Sequence, residues 1–156
     1  MAGTGRPGVL IASRSMSHHF FQVNHPLRPL YRTLALLAGL FVLIFGVVGF
    51  FATQGTPLFE VGGQQALGLR TNLAFSYASI VAGVVIVLAT LLGRNFAHII
   101  YLWVGSVFLL AGTAMMLLMG KDETNFLNFT MATCVVSYLI GSVLATAGMY
   151  VKAKRA

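Results

Sequence analysis

Long apolar runs separated by short polar segments are the main pattern in this sequence. Four runs, each at least 20 residues long, contain no Asp, Glu, Lys or Arg; they cover residues 33–52, 72–92, 96–119 and 125–150. About 20 helical residues, each rising about 1.5 Å, cross the roughly 30 Å hydrocarbon core of a bilayer. The pattern therefore predicts an all-α fold, a bundle of four transmembrane helices.

The polar segments define the predicted domain organisation. Residues 24–152 are expected to form one membrane domain, flanked by a disordered cytoplasmic tail at 1–23 and a short cytoplasmic tail at 153–156. Met16 is an alternative start of the chain. The turn between the second and third spans is only three residues long, so these helices are expected to be antiparallel neighbours. The glycine-rich loop 54–70 is expected to form turns or a shallow re-entrant excursion.

Composition identifies lipid as the solvent of this chain. Hydrophobic residues make up 58% and charged residues 8% of the 156 residues, whereas a soluble domain carries about 25% charged residues. The net charge of +7 also occurs in nucleic-acid-binding proteins, but these gather their basic residues on one face. Here the basic residues flank the apolar runs, so no nucleic-acid partner is predicted. The single cysteine, Cys134, excludes an intramolecular disulfide.

The basic residues also predict the orientation of the bundle. Eight of them lie in segments on one side of the predicted membrane, and two lie on the other. The eight are Arg6, Arg14, Arg28, Arg32, Arg94, Lys152, Lys154 and Arg155, and the two are Arg70 and Lys121. Because cytoplasmic loops carry an excess of Lys and Arg, both termini are predicted to be cytoplasmic.

The two halves of the chain resemble each other at three places. The matches pair residues 39–46 with 105–112, 71–72 with 124–125, and 76–77 with 137–138. They are consistent with two duplicated helical hairpins of the same orientation, an arrangement found among transporters. Chance similarity between apolar sequences is the alternative, and the matches by themselves indicate no transport.

Small residues recur seven positions apart on every span, and seven residues are nearly two helical turns, so each pair lies on one face. The pairs are Gly39 with Gly46, Ser76 with Gly83, Gly105 with Gly112, and Gly141 with Gly148. The fourth span adds Ser137 and Ala145 to a small-xxx-small series through Gly141. Small residues let helix backbones approach closely in membranes. These ten residues are predicted to pack the four helices together; docking of a partner's helix is the alternative.

The spans offer little chemistry. His98 is the only Asp, Glu, Lys, Arg or His within them, whereas proton relays and ion pumps place several ionisable residues inside the membrane. A haem iron takes axial ligands such as His, and no second His lies within a span. No catalytic residue, cofactor or metal is therefore predicted, and an enzyme is not expected. His98, Tyr101 and Trp103, near the cytoplasmic end of the third span, are the candidates for contact with a lipid or quinone.

Polar residues at the loop–helix boundaries carry a resemblance to a known family. The segments concerned are residues 24–32, 67–72, 93–95 with His98, and 125–129. They resemble a family of small four-helix membrane proteins, found mainly in actinobacteria, to which no function is assigned, and the similarity covers about residues 23–152. The resemblance implies the four-helix membrane fold and a location in a bacterial inner (plasma) membrane, and it implies no activity.

Two functional hypotheses fit the sequence. The first is a non-catalytic accessory or stabilising subunit of a larger envelope or respiratory membrane complex, with membrane lipids and other integral membrane proteins as its partners. Its motivation is the glycine-rich helix faces together with the absence of charge from the spans. The alternative is a small lipid- or quinone-binding carrier, with a groove between the helical hairpins and His98, Tyr101 and Trp103 at its cytoplasmic mouth.

Overall fold

Four helices make up most of the molecule. The computed structural model describes residues 26–152, and the predicted tails 1–23 and 153–156 lie outside the described residues. The elements are α1 (Arg28–Ala52), β1 (Gln65–Ala66), β2 (Leu69–Arg70), α2 (Leu73–Leu92), α3 (Arg94–Leu118) and α4 (Met131–Tyr150). All four helices are long and apolar enough to cross a membrane. This confirms the predicted all-α four-helix fold and identifies a membrane protein.

The helices form two helical hairpins, and each helix packs mainly on its hairpin partner. The first helical hairpin consists of α1 and α2, and the second consists of α3 and α4. The termini end of the bundle holds the starts of α1 and α3 and the ends of α2 and α4. There Arg28 Nε donates to the Val151 carbonyl oxygen at 3.1 Å, and Arg32 Nη2 donates to the Thr90 carbonyl oxygen at 2.6 Å. The opposite loop end holds the α1–α2 and α3–α4 connections.

Local sequence explains where most helices begin and end. Pro29 stands in the first turn of α1, where its missing N–H costs nothing, and α1 therefore begins before the predicted residue 33. The Asn72 side chain accepts a hydrogen bond from the Phe75 N–H at 2.9 Å and caps α2. Gly93, with φ of +63°, ends α2 and immediately precedes α3. The turn that joins the two helical hairpins is thus a single residue.

The fourth helix begins later than the sequence predicted. The expected span of 125–150 is wrong at its start, because α4 begins at Met131. The Asn125 side chain accepts from the Phe129 N–H at 2.7 Å and donates to the Phe129 carbonyl oxygen at 2.8 Å. Asn128 adopts a φ of +54°, which a right-handed helix does not allow. Asparagine side chains that bond to nearby backbone compete with the helix in this way.

The loop between α1 and α2 contains a small β-hairpin. Gln65 pairs with Arg70 and Ala66 with Leu69, and the two residues between them, Leu67 and Gly68, both have positive φ, as tight two-residue hairpin turns require. The sequence left two possibilities for this loop, turns or a shallow re-entrant excursion, and the structure shows turns. The β-hairpin lies over the loop end, with Ala66 fully buried.

Candidate functional site: a cleft between the two helical hairpins

The predicted small residues lie where the two helices of one hairpin touch. A Cβ atom built on Gly46 of α1 would lie 2.6 Å from the Ile80 backbone nitrogen of α2, and one on Gly83 would lie 2.6 Å from the Leu43 Cα. A contact below about 3 Å leaves no room for a methyl group, so the backbones of α1 and α2 are in direct contact there.

The second helical hairpin repeats this arrangement. A Cβ atom on Gly105 would lie 2.7 Å from the Ala145 nitrogen, and one on Gly141 would lie 2.8 Å from the Leu109 Cγ. Gly148 faces Leu102 at 2.7 Å in the same way. The remaining predicted members also face their own hairpin: Gly39 faces Ile86, Ser76 lies against Gly46, and Gly112 faces Ser137. Gly49, which the seven-residue spacing missed, faces Ser76 as well.

The glycines are therefore used inside the helical hairpins. All eight helical glycines of the described residues are buried. The alternative reading, in which a glycine stripe docks a helix of another protein, has no exposed helical glycine available within residues 26–152.

Between the helical hairpins, by contrast, the structure leaves a cleft. Its outer part, of about 490 Å³, is a groove between α2 and α3 that opens sideways toward the surrounding lipid and is lined by Tyr77, Val81 and Trp103 among others. Ala78 and Phe108 line both this groove and a middle part of about 220 Å³. We call the whole space the inter-hairpin cleft.

The inner part of the cleft is a small space of about 20 Å³ that reaches α1 and α4. Phe75, Ser79, Phe108 and Ser137 line both the inner and middle parts, so the three parts lie next to one another from the lipid side to the centre of the bundle. The lining is almost entirely apolar, and no Asp, Glu, Lys, Arg or His contributes to any part of it.

Polar contacts close the cleft at the termini end. The Thr90 hydroxyl of α2 and the Tyr101 hydroxyl of α3 are 2.6 Å apart and hydrogen-bonded, and Arg32 donates to the Thr90 carbonyl from α1. The rings of Tyr31 and Tyr150 stack with centroids 4.8 Å apart and join α1 to α4. The two hairpins are thus held together at the end where the chain enters and leaves the bundle.

Asparagine side chains join the hairpins at the loop end. Asn72 Nδ2 donates to the Phe126 carbonyl oxygen at 2.7 Å. Asn128 Nδ2 donates to the carbonyl oxygens of Thr71 at 2.8 Å and Gly62 at 3.0 Å. These residues belong to the boundary segments that carry the family resemblance, and the structure brings two of those segments into contact.

The three predicted contact residues do not form one site. His98 is only 8% exposed and its Nδ1 bonds to the Gly148 carbonyl inside the second helical hairpin. Tyr101 is fully buried against Thr90. Trp103 is 70% exposed and lines the outer groove. The predicted mouth, with all three residues around one opening, is therefore wrong: His98 faces α4, Tyr101 seals the closed end, and Trp103 alone lines the cleft.

Sequence reasoning missed the residues that give the cleft its character. Ser79, three positions after Ser76, lies outside the seven-residue series, and Phe108 looked like any apolar residue of a span. Ser137 was assigned to packing, and it lines the cleft as well as facing Gly112. Within residues 26–152, no group of three or more His, Cys, Asp or Glu side chains is placed to hold a metal ion.

Comparison with known proteins places the chain in a family without assigning it an activity. Neither a curated protein nor a solved structure is similar enough to the chain to count as a match. A family model described as a domain of unknown function, DUF4383, matches residues 32–150, which include all of α2, α3 and α4 and most of α1. The chain is a member of the DUF4383 family.

Proposed function

We propose that this protein binds an apolar molecule of the membrane, such as a lipid chain or an isoprenoid, in the inter-hairpin cleft. The observation that carries the proposal is the cleft itself, which is open to lipid along one side and lined by apolar groups. It corresponds to the second sequence hypothesis, a small lipid- or quinone-binding protein, with the binding groove moved from the His98 region to the α2–α3 side.

The size of the cleft supports an organic occupant. The middle part alone is about 220 Å³, whereas an apolar cavity of about 150 Å³ stays free of water and binds a benzene ring. An empty space of this size is costly, because the lining atoms lose their dispersion contacts. A flexible chain that enters sideways from the bilayer restores those contacts.

The accessory-subunit hypothesis stays a prediction, but its structural motivation is weaker. Its motivation was the glycine-rich helix faces together with the absence of charge from the spans, and the helical glycines of the described residues are buried against their own hairpin partners. A partner protein would instead contact the bulky lipid-facing side chains. No feature of residues 26–152 favours one such face over another.

The proposal includes a membrane and an orientation. We place the chain in a bacterial inner membrane with the termini end on the cytoplasmic side, because eight of the ten Lys and Arg residues belong to that side and basic loops stay in the cytoplasm. A fluorescent or enzymatic reporter fused to either terminus tests this, and both fusions are expected to report from the cytoplasm. A reporter readable only from outside at either terminus contradicts the orientation.

Fluorescence of the single tryptophan tests binding in the cleft. Trp103 is the only tryptophan of the chain and lines the outer groove. A dibrominated long-chain alkane, titrated into micelles that contain the protein, is expected to quench Trp103 with a saturable component at a low mole fraction. A relocated reporter, Trp103→Phe with Leu139→Trp, places the indole on an exposed position of α4. It is expected to be quenched only in proportion to the bulk mole fraction of the alkane.

A plug in the cleft supplies the matched control. Ala78 is exposed and lines the outer and middle parts, so Ala78→Phe is expected to remove the saturable quenching without a clash in the core. Ala132→Phe adds the same side chain at an exposed position of α4 outside the cleft and is expected to keep it. Saturable quenching that survives Ala78→Phe, or that never occurs with the wild-type chain, contradicts the proposal.

A further inference from the structure

Two largely buried serine residues line the cleft, and their hydroxyls have no hydrogen-bond partner among the described residues. Ser79 of α2 and Ser137 of α4 are each only 4% exposed, and both line the inner and middle parts. Neither hydroxyl bonds within residues 26–152. Other buried hydroxyls of α2 are hydrogen-bonded: those of Ser76 and Thr90 each donate to the backbone carbonyl one turn earlier, at 2.8 Å.

A hydroxyl left without a partner in an apolar surrounding is costly, because it has given up its bonds to water. Here two such groups come from two different helical hairpins and border the same space. Apart from these serines and Thr133, the lining of the inner and middle parts is aliphatic or aromatic. The Thr133 hydroxyl is already bonded to that of Thr130 at 3.2 Å, so the two serines are the unbonded hydroxyls that these two parts offer to a ligand.

We propose that the ligand carries a carbonyl oxygen, which accepts hydrogen bonds from the hydroxyls of Ser79 and Ser137. This inference rests on the proposed function and names the class of its ligand: an apolar membrane molecule with a ring carbonyl, as in an isoprenoid quinone, or with an ester carbonyl, as in an acyl lipid. A carbonyl oxygen has two lone pairs and so satisfies two donors at once.

The shape and charge of the cleft support this class. The inner part, about 20 Å³, is large enough for one oxygen-sized group, since a water molecule needs about 10–15 Å³ of such volume. The middle part beside it, flanked by Phe75 and Phe108, takes the apolar body. A charged headgroup is excluded from this depth, because no side chain of opposite charge lines the cleft and an unpaired buried charge is very costly.

Matched probes test the carbonyl. A dibrominated alkane and a dibrominated fatty-acid methyl ester of equal chain length differ only in the ester group, and a short-tailed quinone supplies a ring carbonyl. Saturable quenching of Trp103 gives an affinity for each probe. The ester, the quinone or both are expected to bind about tenfold more tightly than the alkane, the factor that one to two net hydrogen bonds provide. If the quinone binds more tightly than the ester, the ligand's carbonyl is that of a quinone ring; if the ester binds more tightly, it is that of an acyl lipid.

Serine variants connect that preference to the two hydroxyls. In the double variant Ser79→Ala with Ser137→Ala, the affinity for the ester and the quinone is expected to fall to that for the alkane. The affinity for the alkane is expected to stay unchanged. In the double variant Ser79→Cys with Ser137→Cys, the side chains are nearly isosteric but are weaker donors, so its affinity for the carbonyl probes is expected to lie between those of the wild type and the alanine variant. This variant keeps the test decisive if the alanine variant fails to fold. Ser142→Ala, at an exposed position of α4, is expected to keep the full preference.

The outcomes separate this inference from the proposed function. If the alkane, the ester and the quinone bind with equal affinity, the cleft is still a binding site, but the proposed hydrogen bonds to a ligand carbonyl are contradicted. The two hydroxyls then hold only a water molecule. A preference that persists in the alanine variant contradicts those hydrogen bonds as well. If no probe quenches Trp103 saturably, the proposed function fails and the inference fails with it.

Discussion

The interfaces within the helical hairpins and the interface between them are built from different residues. Within each helical hairpin, glycines bring two backbones into contact along most of the helix length, as at Gly46 and Gly105. Between α2 and α3 the facing residues are mostly alanines and valines, with the aromatic residues Tyr77, Trp103 and Phe108, and the helices leave a groove of about 490 Å³. On this side the hairpins are joined by polar groups at the two ends, whereas α1 and α4 share a buried apolar cluster that includes Val42 and Ile140.

The difference between the two kinds of interface follows from the lipid that surrounds the helices. Lipid is as apolar as a leucine side chain, so burial of apolar groups does not bring membrane helices together; close backbone contact and hydrogen bonds do. Where glycines are present, the helices close completely. On the α2–α3 side glycines are absent: bonds such as Thr90 to Tyr101 and Asn128 to Thr71 join the hairpins at the two ends, and the groove between these ends is free for a ligand.

The largest effect is expected when a methyl group is placed inside a helical hairpin. Gly46→Ala would put its Cβ 2.6 Å from the Ile80 backbone nitrogen and 2.9 Å from the Ser76 carbonyl oxygen, and neither backbone atom can move alone. The free energy of unfolding is expected to fall by about 2–3 kcal/mol, the upper range for overpacking. Reversible unfolding in mixed detergent micelles measures it.

Gly112 occupies the matching repeat position and is the control for this change. A Cβ atom there would lie 3.3 Å from the Ser137 Cβ, with no closer atom, so a shift of a few tenths of an ångström accommodates it. Gly112→Ala is expected to change the free energy of unfolding by less than about 1 kcal/mol, since alanine also favours the helix by about that amount. Equal losses for the two variants contradict the account of glycine packing.

The next largest effect is expected at the loop-end junction. Asn128→Asp keeps the size of the side chain and tolerates the positive φ, but it replaces the Nδ2 donor with an oxygen that faces the carbonyl oxygens of Thr71 and Gly62. At a pH low enough to keep the buried carboxyl protonated, the free energy of unfolding is expected to fall by about 2 kcal/mol, within the cost of leaving buried groups unsatisfied; at neutral pH the loss is expected to be larger, because an unpaired charge is then buried.

Asn125→Asp is the control at the same end. It loses one bond to Phe129 and keeps the oxygen that accepts from the Phe129 N–H, so its loss is expected to be about half as large. The same unfolding experiment serves both variants. A loss at Asn125→Asp that equals or exceeds the loss at Asn128→Asp would show that the inter-hairpin bonds are not the important ones.

The smallest effect is expected at the termini end. Tyr101→Phe removes the hydroxyl that bonds to Thr90, while Thr90 keeps its bond to the Ile86 carbonyl. A loss of about 0.6–1.7 kcal/mol is expected, from the average to the largest value measured for single hydrogen bonds between membrane helices. Spin labels on α2 and α3 are expected to show a wider distance distribution at this end.

Tyr138→Phe tests whether the position of the bond matters. Its hydroxyl bonds to Thr113 at 2.8 Å, within the second helical hairpin and on an exposed surface. No widening between α2 and α3 is expected from this variant. Widening by both substitutions, or by neither, would remove the special role of the Thr90–Tyr101 bond in closing the cleft.

Sequence patterns predicted the parts of this molecule that depend on composition and period. Charge-free runs located the four helices, and the seven-residue spacing found glycines such as Gly46 that lie in helix contacts. The start of α4 was missed, because it depends on the bonds of Asn125 and the positive φ of Asn128. A count of apolar residues does not register either feature.

The candidate site was harder to predict, because it depends on which face each residue takes in three dimensions. His98, Tyr101 and Trp103 are close in sequence, yet they point to α4, to Thr90 and to the lipid side respectively. Ser76 bonds to the Asn72 carbonyl and to the Thr71 hydroxyl, whereas Ser79 does not bond to either, and this difference appears only when the helices are packed. A cleft is a property of an interface, and no single span contains its signal.

Native mass spectrometry after gentle extraction tests the central claim most directly, since it detects a molecule held between the helical hairpins. The wild-type chain and Ala132→Phe are expected to carry a bound apolar molecule in a fixed ratio, and Ala78→Phe is expected to be bare. A wild-type chain that is always bare, or three chains that carry the same lipids in bulk proportions, would contradict the account.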